Sequence, residues 1–92
     1  MIVRIAGEGQ FRLPDNDAER LNELDNSAVA AVEEGNEEKF HSFFEEMLSL
    51  VESDGEAIGD DELVESDVIL PPRDVSFSEA AGEFTGEGLI PD

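Results

Sequence analysis

The sequence predicts a small α+β single domain over residues 1–92, with an N-terminal β-hairpin, a helical hairpin, and a short C-terminal strand and helix. Three observations predict this fold class. Apolar residues alternate around a glycine-containing turn near the start, a long apolar stripe of helical period follows, and a short apolar run precedes a helix-capping motif. A chain of 92 residues suffices for one modest core.

The N-terminal hairpin is predicted from "IVRIA", "GEG" and "QFRL", two alternating segments around a three-residue loop. We expect the pairing to be symmetric about Glu8. One apolar face then has Val3 opposite Leu13. The other face has Arg4 opposite Arg12.

A second Gly-Glu-Gly occupies residues 86–88, so either copy could be a phosphate-binding loop or a simple turn. Phosphate loops present backbone N–H groups just before a helix N-terminus. A strand follows the first copy, and no helical pattern follows the second. Both are therefore predicted to be turns in which glycine supplies the positive φ.

Two helices are predicted in the middle of the chain. The first begins after Pro14 with Asp15 or Asp17 as its cap, and the polar residues 25–27 are expected to divide it in two. The second follows a Gly35-Asn36 turn, runs to about residue 54, and is stopped by Gly55. Its apolar stripe is the clearest periodic signal in the chain and comprises Phe40, Phe43, Phe44, Met47, Leu48 and Val51.

The C-terminal third is predicted to contain an acidic loop, a short strand and a short helix. The loop covers "EAIGDDELVES", and the strand is "DVIL", stopped by two prolines. Ser76 and Glu79 form a capping box for the helix. Leu89 and Ile90 are expected to dock on the sheet or the core.

The charge of the chain is strongly acidic, with 25 acids against five bases and a formal net charge of −20. Such a surface repels bare nucleic acid and anionic bilayers. It is typical of proteins adapted to high salt or of proteins that bind a basic partner. The acids are spread along the whole chain, which favours the halophilic interpretation. With no signal peptide and no membrane-spanning run, the expected location is cytoplasmic.

No catalytic, cofactor or metal site is predicted. His41, with Glu45 one turn on, is a weak acid–base candidate, and a helix-flank histidine that pairs with a carboxylate is favoured instead. Four acids fall at ligand positions of a calcium loop: Asp54, Glu56, Asp60 and Glu65. Ile58 stands where a further oxygen ligand is needed, so an acidic loop is favoured over a calcium site.

Arg4 and Arg12 are the candidate partner-binding residues. Like charges directly opposed on a sheet are unfavourable. Carboxylates of this chain, such as those of the Asp92 region, could neutralise them. Alternatively, the arginines receive acidic side chains of a partner, and the residues alone leave both interpretations open.

Four segments together resemble the PspA-associated family PspAA: "MIVRIAGEGQFRL", "LNELD", "DDELVESDVILPPRDVSFSEA" and "GEGLIPD". They occur in the same order as in that family and extend from the first residue to the last. The N-terminal block, "SDVILPP" and the "EGLIP" tail are the specific parts. The resemblance implies a small non-enzymatic companion of PspA, which is a coiled-coil, membrane-associated protein of the phage-shock envelope-stress response.

The function expected from this resemblance is binding to PspA and modulation of that stress response. The protein would then be membrane-peripheral only through PspA. The alternative is an acidic decoy or chaperone for a basic or nucleic-acid-binding protein. The identity of the co-purifying partner distinguishes the two hypotheses.

Overall fold

The computed structural model describes residues 1–59, 62 and 64–84. In chain order the elements are β1 Ile2–Ile5, β2 Gly9–Arg12, α1 Asp15–Glu34, α2 Glu37–Asp54, β3 Glu56–Ile58, β4 Val68–Leu70 and α3 Phe77–Glu83. The predicted α+β class is confirmed. The predicted turn at residues 86–88 and the predicted docking of Leu89 and Ile90 lie outside the described residues.

The strands form one four-stranded sheet in the order β3-β2-β1-β4. β1 pairs antiparallel with β2 and parallel with β4, while β3 pairs antiparallel with β2. The prediction of a loop immediately after α2 was wrong, because Glu56–Ile58 form an edge strand there. At a sheet edge an acidic side chain can stay in water while its backbone bonds to the neighbouring strand.

The predicted register of the hairpin was also wrong. Val3 lies opposite Phe11, and Arg4 lies opposite Gln10 rather than Arg12. The Glu8 N–H donates to the Ile5 carbonyl at 2.9 Å and closes the turn one residue earlier than expected. This moves the pairing by two residues, so each side chain keeps its predicted face and only its cross-strand partner changes.

The helix α1 is continuous, so the predicted break at residues 25–27 was wrong. Asp25, Ala28 and Val29 are buried, and packing in the core outweighs the local preference of polar residues for turns. The N-cap is Pro14, which makes no side-chain capping bond. Asp15 and Asp17 lie in the first turn of the helix instead, where its dipole favours negative charge.

The helix α2 begins and ends as predicted. Gly35 has a φ of 71°, in the left-handed region, and the Asn36 side chain accepts from the Lys39 N–H at 3.0 Å. Gly55 follows the last residue of the helix. A Cβ at Gly55 would overlap the Val51 carbonyl oxygen, so this position needs glycine because of a close approach.

The core lies between the helices and the inner face of the sheet. The stripe of α2 is buried apart from Phe43, which is partly exposed. Ser76 accepts from the Glu79 N–H at 3.3 Å and caps α3, as predicted. Phe84, which follows α3, meets Phe40 edge to face with ring centroids 5.1 Å apart, so this helix closes the core.

Candidate partner-binding face

The outer face of the sheet carries the predicted partner-binding arginines. Val3 and Ile5 of β1 are buried, so Arg4 between them points away from the core. The cross-strand register places other side chains on the same outer face. These are Ile2, Gln10, Arg12, Glu56, Ile58 and Ile69.

Arg4 and Arg12 share this face but are diagonal neighbours, not directly opposed residues. Arg12 lies 3.8 Å from the Glu62 carboxylate, and about half of each side chain is exposed. Arg4 is exposed and has no carboxylate within ion-pair distance in the part of the chain that the structure describes. The predicted neutralisation by the Asp92 region lies outside the described residues.

Part of the outer face is covered by the segment that leads into β4. The Gln10 side chain donates to the Val64 carbonyl at 3.0 Å and to the Ser66 hydroxyl at 2.8 Å. The Ile2 N–H donates to the Asp67 carboxylate at 2.8 Å. Each of these bonds joins two residues whose separation along the chain is between 54 and 65 positions. No local sequence signal predicts such distant pairs.

Ile69 is the exposed apolar residue of this face. Its side chain is 58% exposed, whereas its neighbours Val68 and Leu70 are buried. Ile69 lies directly across from Arg4 in the β1–β4 pair. Ile69 is not among the residues predicted from the sequence to be functional, because an apolar strand does not reveal which of its side chains faces water. The alternation of side chains along "DVIL" was the only available signal.

Glu8, the central residue of the first Gly-Glu-Gly, forms an ion pair with Arg73. Arg73 donates from Nε and Nη2 to its two oxygens at 3.2 and 3.0 Å. Arg73 also contacts the Glu52 carboxylate. Hydrogen bonds to Glu8 and Glu52 hold the pKa of Arg73 above its ordinary value. This first Gly-Glu-Gly is therefore a turn that presents a carboxylate to a distant arginine.

The other chemical candidates of the sequence lie apart from this face. His41 lies 3.7 Å from the Glu37 carboxylate, one turn before it, so this helix-flank histidine is paired with a carboxylate as predicted, and that carboxylate is not Glu45. Within the described residues, Glu56–Ile58 of the calcium-like motif form a strand, and no group of three or more Asp, Glu or His residues could hold a metal ion. Among the same residues, no helix is both long and apolar enough to cross a membrane.

Comparison with known proteins identifies the family. The model of the PspAA family, described as PspA-Associated protein, matches residues 1–92, which is the whole chain. No curated protein matches the chain, and no solved structure matches it. The chain therefore belongs to the PspA-associated protein family.

Proposed function

We propose that this protein is a non-enzymatic accessory that binds PspA and modulates its part in the phage-shock response to envelope stress. The observation that carries the proposal is the family match, which names an association with PspA and covers every residue. The proposed location is the cytoplasm, with contact to the membrane only through PspA.

The proposed contact is made by Arg4 and Arg12. They are two of the five bases in a chain of formal charge −20, and both are exposed on the outer face of the sheet. Elsewhere the acidic surface repels an acidic partner. An acidic strip of PspA would therefore be steered towards this face. The coupling free energy of close charge pairs at an interface is roughly 1.5–7 kcal/mol, and that of exposed pairs is much smaller.

The test replaces both arginines by glutamate, which turns attraction into repulsion at two neighbouring points. Circular dichroism and melting establish that the variant folds, and its affinity for PspA is then measured at molar salt. We expect at least a tenfold loss of affinity, equivalent to about 1.4 kcal/mol. A matched control replaces Arg20 and Lys39 by glutamate, which makes the same charge change on the helices.

Two results would contradict the proposed contact. One is a lower melting temperature with full binding by the folded fraction, which would assign the arginines to the fold. The other is an equal loss of affinity in the control, which would assign the effect to net charge alone.

Co-purification from the native host at native salt tests the function itself. Recovery of a basic or nucleic-acid-binding protein in place of PspA would support the acidic decoy or chaperone function instead.

A further inference from the structure

Glu62 lies beside both arginines of the sheet's outer face. Glu62 and Arg12 line a cleft of about 350 Å³, and Glu62 and Arg4 line a second cleft of about 250 Å³. In the first cleft, the Glu62 carboxylate is 3.8 Å from the Arg12 guanidinium. A carboxylate of this chain therefore already occupies the surface to which the proposed function assigns carboxylates of the partner.

Hydrogen bonds hold the backbone near Glu62 against this face. The Gln10 side chain donates to the Val64 carbonyl at 3.0 Å and to the Ser66 hydroxyl at 2.8 Å. Gln10 lies directly opposite Arg4 in the β1–β2 pair, and Val64 is two residues beyond Glu62. A group that is tethered next to a binding surface competes there at a high effective concentration. The Glu62 carboxylate is thus placed to compete with any carboxylate that approaches Arg12 from solution.

The contact between Glu62 and Arg12 is loose. Its 3.8 Å separation exceeds the roughly 2.7–3.2 Å of an N–H···O hydrogen bond, and more than half of each side chain is exposed. Arg73 provides the contrast within the same molecule, because it donates two hydrogen bonds to Glu8, at 3.2 and 3.0 Å. A carboxylate that accepted two such bonds from Arg12 would replace Glu62 with a stronger contact.

We propose that Glu62 makes an autoinhibitory contact, in which it occupies the face that carries Arg4 and Arg12 until carboxylates of the acidic partner displace it. The contact lowers the affinity of this face for any acidic ligand. A partner that presents carboxylates to both arginines gains enough to displace Glu62, whereas a single carboxylate does not. The inference rests on the proposed function, in which the two arginines bind an acidic strip of PspA.

The experiment compares the affinity of Glu62→Gln and of the parent protein for PspA. Removal of an exposed competing ion pair should strengthen binding by about twofold to fivefold, and the variant should melt close to the parent because such a pair contributes little to folding. Glu65→Gln is the matched control. It makes the same charge change three residues away, and among the described residues Glu65 has no base within 4.0 Å. The control should bind as the parent does.

A second comparison tests whether Glu62 acts through Arg12. Glu62→Gln is introduced into Arg12→Gln, and the gain in affinity should then disappear, because the two residues form one coupled pair. All affinities are measured at the lowest salt concentration at which the parent is folded, since salt screens exposed charges. A gain of equal size with and without Arg12, or in the Glu65→Gln control, would assign the effect to net charge and overturn the inference.

The outcomes separate this inference from the function on which it rests. If the parent binds PspA, replacement of both arginines by glutamate weakens the complex, and Glu62→Gln does not strengthen it, the autoinhibitory contact is overturned and the proposed function stands. A parent that does not bind PspA overturns both. A lower melting temperature of Glu62→Gln with no gain in affinity would assign the ion pair to the fold and would also overturn the inference.

Discussion

Phe44 lies in an aromatic cluster at the centre of the core. Its side chain is 1% exposed, and its ring centroid is 5.7 Å from that of Phe40 and 6.0 Å from that of Phe84. Phe43 precedes it on α2 but is only partly buried. Adjacent helix residues point in different directions around the axis, so these two phenylalanines have unequal roles in folding.

We predict that Phe44→Ala leaves the protein largely unfolded in moderate salt. Removal of a buried phenylalanine ring costs about 3–5 kcal/mol, against a total stability of roughly 5–15 kcal/mol for a typical domain. Melting followed by circular dichroism gives the measurement. Phe43→Ala is the matched control on the same helix and should retain a clear folding transition. Equal losses in the two variants would contradict the unequal burial of Phe43 and Phe44.

Asp17, in the first turn of α1, meets Asp54, the last residue of α2. Partial burial, the charge of Asp54 and a hydrogen bond with it all raise the pKa of Asp17 above its ordinary 3.8. A carboxyl with a raised pKa binds its proton more tightly in the folded state than in the unfolded chain. The contribution of Asp17 to the free energy of unfolding therefore falls as pH rises from about 3.8 through the raised pKa.

We predict that Asp17→Asn raises the melting temperature at neutral pH, because the amide cannot ionise next to Asp54. The advantage over the parent should shrink as pH falls and vanish below about 3.8, where Asp17 is protonated in both folded and unfolded states. Melting curves across this pH range provide the test. A constant difference between variant and parent at all pH values would show that ionisation of Asp17 is not the cause.

At the scale of elements, Arg73 connects three parts of the fold. It lies between β4 and α3 and binds Glu8 of the β1–β2 loop and Glu52 near the end of α2. An arginine held by both oxygens of one carboxylate and by a second carboxylate makes a defined network. Such networks contribute more than an isolated surface pair.

We predict that Arg73→Gln lowers the melting temperature more than Lys39→Gln does. Both variants lose one positive charge, but among the described residues Lys39 makes one ion pair, at 3.8 Å to Glu34 between neighbouring helices. Arg73→Lys should fall between the parent and Arg73→Gln, because lysine keeps the charge and lacks the planar fork. The comparison is made at low salt, where screening is weakest. An indistinguishable effect of Arg73→Gln and Lys39→Gln would mean that only net charge matters.

At the scale of the whole molecule, the formal charge of −20 opposes compaction. We predict that the melting temperature rises as salt increases from tenths molar to molar, because the Debye length falls from about 10 Å at 0.1 M to about 3 Å at 1 M. Calorimetry in sodium chloride, with a smaller neutral domain as reference, measures the effect. A melting temperature that stays constant or falls as salt is added would contradict adaptation to high salt.

Most elements of the fold could be predicted from local signals. The glycine turn, the asparagine cap of α2, its apolar stripe and the serine cap of α3 each act over a few residues, so the sequence displays them directly. The break expected in α1 shows the limit of this reasoning. There the polar run 25–27 favours a turn locally, but packing of Ala28 and Val29 in the core keeps the helix continuous.

By itself, the sequence determined the fold class, the family resemblance, the acidic surface and the face of β1 that carries Arg4, because alternation along one strand is a local property. Only the tertiary structure decided the hairpin register, the presence of β3, the exposure of Ile69 and the ion pairs of Arg73. The register follows from the exact geometry of the turn, and the other three features depend on contacts between residues far apart in the chain, such as the 65 positions between Glu8 and Arg73. Such contacts form through packing and strand pairing across the whole molecule, which short sequence patterns do not encode.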